Sequence, residues 1–446
     1  MKESSELAVE RPYAHIWRLA LPLIIANLTI PLLGVVDTAV IGDLSSAHIG
    51  AVALGATVFT FLYWAFAFLR FSTTGLAAQA YGSGDMEVAM VWLGRSMLLA
   101  TLFGTLLVSL QTPIVQIATG LVSPSPEVRQ YLNDYITIRI WAGPAALANL
   151  AILGWLIGLQ KVGYALFLQV IINGLNILLD IIFADWLSME VSGVALATMI
   201  SQYIGLGAGL YFVQKIKIQY KISWNLENLI RQGPLLTLMA LNRDIFLRSL
   251  LLIIATSMFT IQGSRMGELI LAANGILILF LSFIAYGLDG FAHAAEALVG
   301  KAIGSRDRSY LRHSVRRTTE LALLVSIVYT FFLIFFGTNV ISWITSLSEV
   351  QAVAETYFLW VIISPLASVW AYQFDGIFIG ATRAGDMRNA MIISFSIFLV
   401  LVLFLVPHSG NHGLWLSFTV FSVARGLTLL AFYPRLEKIT TDNSIN

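Results

Sequence analysis

Cysteine is absent from this 446-residue chain and charge is scarce. Without cysteine there can be no disulfide, no thiolate metal site and no cysteine nucleophile. Charged residues make up 11% of the chain, against roughly a quarter in a soluble domain. No paired-histidine metal motif and no Gly-x-Ser-x-Gly elbow occur, and Gly300-Lys301 lacks the earlier glycine and the following Ser/Thr of a phosphate loop. Enzyme chemistry and nucleotide-driven pumping therefore find no support, and any pumping must draw on an ion gradient. His293 has no second ligand at metal spacing and reads as a packed histidine. No metal or organic cofactor is expected. The net charge of +1 is spread over short loops, which speaks against nucleic acid. No stretch is long and polar enough to form a separate soluble domain.

Apolar residue, by contrast, is abundant: 58% of the chain, with a mean hydropathy of +0.82. Runs without charge recur at 97–114, 269–288 and 391–406. A bilayer core about 30 Å thick is crossed by roughly 20 apolar residues in a helix. The polar start, 1–13, leads into a helix too long for a signal-peptide core, so it reads as uncleaved. Breaks at Gly, Pro and charge clusters predict twelve helices near 14–42, 50–80, 88–112, 128–158, 163–185, 191–214, 233–262, 267–302, 311–345, 350–380, 387–407 and 412–435. Loops after even-numbered helices carry most of the Lys and Arg, including Lys161, Lys215, Lys301, Arg306 and Arg383, whereas those after odd-numbered helices carry only Arg129 and Arg265. Both termini are then expected in the cytoplasm.

The chain also repeats itself. Ala77-Ala-Gln-Ala-Tyr-Gly-Ser-Gly-Asp85 aligns with Val299-Gly-Lys-Ala-Ile-Gly-Ser-Arg-Asp307 at an offset of 222, which also places Tyr135 on Tyr357 and Gly158 on Gly380. The expected fold class is an all-α integral membrane protein of two six-helix bundles, related by a pseudo-twofold axis along the membrane normal. The expected division is 1–214, a cytoplasmic linker 215–232, and 233–446.

An ionisable side chain within a bilayer costs about 2.5–3.5 kcal/mol or more, so each one is a candidate functional group. Asp37 lies in the first helix, about 7 Å below its outer end at 1.5 Å per residue. Asp180 lies at a similar depth in the fifth, and Asn173, Asn176 and Asp180 share one face of it. Tyr135 and Thr198 fall in the same outer half. Two nearby carboxylates cannot both ionise cheaply, which raises one pKa and suits a proton-coupling site. A sodium ion held by the same oxygens is equally permissible. Pro22 and Pro31 favour a kink in the first helix. In the second half, Asp244 and Arg248 stand four apart and read as a structural pair, Asp289 and Glu296 share a face, and Asp375 sits in the tenth helix. Arg70, Arg139 and Arg425 are candidate counter-ions. These second-half charges divide between fold-holding pairs and cleft-lining groups.

With Asp37 in Val36-Asp37-Thr38, the Asn176/Asp180 pair and the six-helix repeat, the chain resembles the multidrug and toxic compound extrusion (MATE) transporters. The runs Leu288-Asp-Gly-Phe-Ala-His-Ala-Ala-Glu-Ala-Leu298, Asn242-Arg-Asp-Ile-Phe-Leu-Arg248 and Asp375-Gly-Ile-Phe-Ile-Gly-Ala-Thr-Arg383 look like its DinF branch. The resemblance implies an efflux antiporter that exports amphipathic or cationic organic compounds in exchange for inward H+ or Na+ by alternating access. Asp37 would be the coupling carboxylate, with Asn176, Asp180, Tyr135 and Thr198 as its network, and its protonation would bend the first helix near Pro22. It further implies a monomer in a bacterial-type inner membrane. The branch often carries more asparagines in the fourth helix than the one found here, Asn149. The alternative on the same architecture is a flippase for lipid-linked saccharides, which a strongly basic cleft would favour.

Overall fold

The computed structural model describes residues 12–40, 45–122, 124–222, 226–229 and 231–439, apart from the side chains at 30–35, 37–39, 121, 122, 185, 226, 227 and 439. Every regular element among them is helical. Hydrocarbon offers a backbone N–H or C=O no partner, and an α-helix satisfies both within one segment. The helices are α1 (Pro12–Val40), α2 (Ser46–Ala65), α3 (Phe68–Ser83), α4 (Met86–Ser109), α5 (Gln111–Val122), α6 (Pro126–Arg139) and α7 (Gly143–Gly158). They are followed by α8 (Val162–Asp180), α9 (Glu190–Gln219), α10 (Gln232–Arg265), α11 (Glu268–Gly304), α12 (Arg308–Ile344), α13 (Ser348–Gly380) and α14 (Ala384–Ile439). A π-helical turn, Ile181–Trp186, follows directly on Asp180.

Ten of these runs, with α2–α3 and α6–α7 each counted as one, are long and apolar enough to cross a membrane. In all of them but 126–158, more than half of the most apolar window lies on the surface. In α12 only 28% of the most apolar window is buried, and Phe335 and Trp343 are 68% and 80% exposed. Such a surface suits lipid and not water.

The chain clusters into two compact units. One comprises 25–239, the other 240–439 together with 12–24. Helix α1 is thus divided between them, and Pro22 stands just before the division. Its first turns belong to the second unit by specific contacts. Trp17 meets Phe291 edge-on at 5.2 Å, Ala20 and Ile24 lie against Gly290, and the Tyr13 hydroxyl donates to Glu320 at 2.7 Å. Arg316 and Arg317 hold the same carboxylate at 2.8 and 2.9 Å.

The sequence repeat has a backbone cause. Gly84 and Arg306, at equivalent positions, both adopt left-handed φ (81° and 54°), as do Gln160 and Thr382 (59° and 54°). In all four turns the next N–H reaches back five residues: Asp85 to Ala80, Asp307 to Ala302, Lys161 to Leu156 and Arg383 to Phe378. This pattern ends a helix by satisfying its last carbonyls. Asp85 and Asp307 then start the next helix, accepting from the N–H of Val88 and Tyr310 at 2.9 and 2.8 Å. Close packing repeats as well. A Cβ on Gly154 would strike the carbonyl of Arg70, and one on Gly376 that of Ala292. The α3–α7 and α11–α13 contacts are therefore versions of one interface.

The predicted eleventh and twelfth helices form one assigned run, α14, broken at Gly410 (φ 55°, ψ −131°). Gly413 lies against the Leu405 backbone, although eight residues of straight helix would separate them by about 12 Å. The arms pack through Phe398 and Phe421 at 5.4 Å. Asn411 at the bend exchanges two amide hydrogen bonds with Asn274 at 2.8 and 2.9 Å, and Trp415 adds a third.

Gly154→Ala and Gly376→Ala should each cost about 1–3 kcal/mol through forced separation of the helix backbones. Gly174→Ala, where a Cβ meets nothing within 4 Å, should be neutral or slightly stabilising. Unfolding of the purified protein in mixed micelles would reveal the contrast.

Candidate functional site

The first unit gathers a buried polar layer. Asp180 ends α8 with no exposed surface, and Asn176 and Asn173, one and two turns earlier, are 4% and 3% exposed. The side chains share a face because their spacing follows the helical repeat. Asn176 donates to the Thr198 hydroxyl of α9 at 3.4 Å, and Thr198 in turn donates to the Val194 carbonyl at 3.1 Å. Asn173 donates to the Thr29 hydroxyl of α1, which donates to Ala26 at 2.7 Å. The stripe is therefore tied to the helix that carries Asp37. Asp37 lies on α1, but its side chain falls outside the described residues.

Tyr135 is completely buried. Its hydroxyl accepts from Arg139, its ring crosses Gly55, and the Arg139 guanidinium lies over Phe59 at 4.9 Å. Arg139, a candidate counter-ion by its position, thus serves a phenol and an aromatic face. Beside this layer is a cavity of about 110 Å³ lined by Tyr63, Asn149, Gln169, Gln202 and aliphatic side chains. That is room for about three or four waters. Asn149 spans to Gln202, donating to its main-chain and side-chain oxygens at 2.9 and 3.0 Å. Gln169 joins the cavity to the stripe through Asn173 at 3.5 Å. Thr29, Gln169 and Gln202 carry no charge and no periodic signal, so nothing in the sequence marks them out.

The second unit holds a different set. The spacing of Asp244 and Arg248 predicts a pair between them, yet each is claimed by a more distant partner. Arg248 binds Asp375 of α13, and Asp244 binds Arg388 of α14 at 2.7 Å and its neighbour Arg243 at 3.0 Å. Arg425, from the far arm of α14, also donates to Asp375, at 2.6 Å. Asp375 is thus held by cations from two other helices, and Arg425 is the counter-ion its position suggested. Glu296, 1% exposed, pairs with His293 of the same helix at 3.0 Å. Asp289 lies on the same helix, within electrostatic range of Tyr372. Among the described residues no group of three or more His, Cys, Asp or Glu is placed to hold a metal.

One family model, MatE, matches this chain twice, over 22–182 and 245–407. The chain belongs to the MatE family. The two matches fall in the register of the sequence repeat, so each half is one copy of the family's unit. A MatE chain is a multi-pass membrane transporter and not an enzyme. The chain is 45% identical to the DNA damage-inducible protein F of Escherichia coli K12 over 94% of its own length and 92% of that protein, a member of the DinF branch. Human multidrug and toxin extrusion protein 1 is 25% identical over 94% of this chain and 74% of its own. Among solved structures, the Vibrio cholerae MATE transporter VcmN in its bent form superposes with a TM-score of 0.87, covering 99% of both chains at 17% identity.

A double-mutant cycle of Asn173→Leu with Thr29→Val checks the tie between the stripe and α1. The coupling should be about 1 kcal/mol, the scale of a hydrogen bond between membrane helices. Additive effects on unfolding would exclude the bond.

Proposed function

We propose that this chain is a secondary active exporter that expels amphipathic or cationic organic compounds in exchange for inward H+, with Na+ as the alternative coupling ion. The observation that carries this reading is Asp180, wholly buried beside amides that reach both α9 and α1. A buried carboxyl with a second carboxyl nearby is an arrangement that one proton or one small cation can bridge. Asp37 on α1 supplies that second group and is the proposed coupling residue. Its protonation would alter the hydrogen bonding of the stripe and bend α1 near Pro22, where the helix passes from one compact unit to the other. The two conformations would then alternate access to the cargo.

The ten apolar spans become twelve when α14 is divided at Gly410 and α1 is added. Their Lys and Arg distribution favours cytoplasmic termini, and the likeness to a bacterial protein favours the inner membrane. The name of the human relative, multidrug and toxin extrusion protein 1, points to extrusion of foreign compounds, and Met and aromatic side chains adapt to cargo of many shapes.

Transport in proteoliposomes under an imposed pH gradient, compared with an imposed sodium gradient, identifies the coupling ion. Proton-driven uptake of a cationic dye should be abolished by Asp37→Asn, to the level of protein-free vesicles. Full activity of that variant would refute the coupling role.

A further inference from the structure

The buried charges of the second unit do not fit a site for a cation. Asp375, a buried acid of this unit, is engaged by Arg248 and Arg425 through a single oxygen, Oδ2. The three side chains come from α10, α13 and the far arm of α14 and are 8%, 11% and 8% exposed. Each guanidinium gives Oδ2 one Nη–H only. The Nε–H of both arginines is buried without a partner among the described residues. An arginine presents Nε–H and Nη–H along one edge, matched to two oxygens of a carboxylate, sulfonate or phosphate. Here two such edges converge and half of their donors are unused. Buried donors of this kind are normally paired.

We infer that Arg248 and Arg425 form a binding site for the anionic group of an amphipathic organic anion, and that Asp375 is its internal stand-in. An entering oxyanion free to present two oxygens to the arginine edges makes bonds that Asp375, held through Oδ2 alone, does not, and displaces it. With Asp375 turned away, two cations face one nearby acid, Asp289, which shares electrostatic range of Tyr372 with them. The balance then favours a ligand of one negative charge. The exposed fraction of Asp375 leaves its carboxylate a path to exchange. This inference adds a cargo class to the export reading and rests on it only for the site's place on a transport route. Binding without any gradient tests it independently of the coupling ion.

The experiment compares 2-naphthoate with its uncharged amide, binding to the full chain in phosphatidylcholine nanodiscs and read by tryptophan quenching. Naphthoate should bind about tenfold more tightly than the amide, the scale of one hydrogen bond to a charged group. Arg248→Gln or Arg425→Gln should erase the preference. Asp375→Asn should increase naphthoate affinity, because the internal competitor is gone, and a purely structural ion cluster would not produce that sign. Should these variants fail to fold, the wild-type comparison and Arg425→Lys, which keeps the charge and loses the edge, still decide. Equal affinity for the two compounds in the wild type would overturn the inference, as would weaker naphthoate binding by folded Asp375→Asn. Adding phosphatidylglycerol separates a dissolved anion from a lipid headgroup. Unchanged naphthoate affinity supports the dissolved anion, and its loss would assign the arginines to lipid and overturn a transported solute.

Discussion

Removing a charge or a peptide group from water without giving it a partner is what this chain must avoid at every level. For the backbone of the described residues the solution is helix, and at the repeated turns a left-handed residue ends one helix before the next begins. For side chains there are few solutions: a hydroxyl can bond a carbonyl one turn back in its own helix, whereas an amide or a charge mostly needs a neighbour on another helix. The polar groups therefore collect into local clusters rather than scattering, and the clusters are where chemistry is possible.

The two copies of the repeat meet this demand with the same framework and different contents. The equivalent turns at Gly84 and Arg306, and the equivalent close approaches at Gly154 and Gly376, show that the helix ends and one helix interface were kept. The interiors diverge. In the first copy the helix after the second turn carries Asn173, Asn176 and Asp180. In the second, the corresponding stretch of α14 buries Phe398 against Phe421 and has no acid between Asp386 and Pro407. The first copy buries neutral amides beside one acid; the second places a carboxylate oxygen between two guanidiniums. The duplication thus yields two copies that share their turns and one helix interface and differ in the polar groups they bury.

Most of the framework was legible in the sequence, because it rests on local signals: apolar runs long enough to span, loops rich in basic residues, and a turn motif recurring at a constant offset. The stripe on α8 was legible too, since helical spacing alone puts Asn173, Asn176 and Asp180 on one face. What could not be read is the choice of partner between helices. Asp244 and Arg248 have ideal local spacing, yet Arg388 and Asp375, 144 and 127 residues away along the chain, take them instead. Thr29 and Gln202 are polar residues of ordinary type whose role appears only when α8 or α7 is laid beside them. The division of α1 between two packing units likewise leaves no mark on an unbroken helical segment.

The π-helical turn after Asp180 carries a further consequence. Such a turn holds one residue more than the α-turn it replaces, and one residue of helix corresponds to about 100° of rotation. Ile181–Trp186 therefore offsets the phase of α8 against whatever follows it. Removing a single residue there would leave every hydrogen-bonding side chain of the layer present, while changing the direction in which the chain departs toward Glu190 and its contact with His48. The place of the buried acid is set by a residue count as well as by residue identity, so in descendants of this chain an insertion or deletion within six residues would be a more severe change than most substitutions.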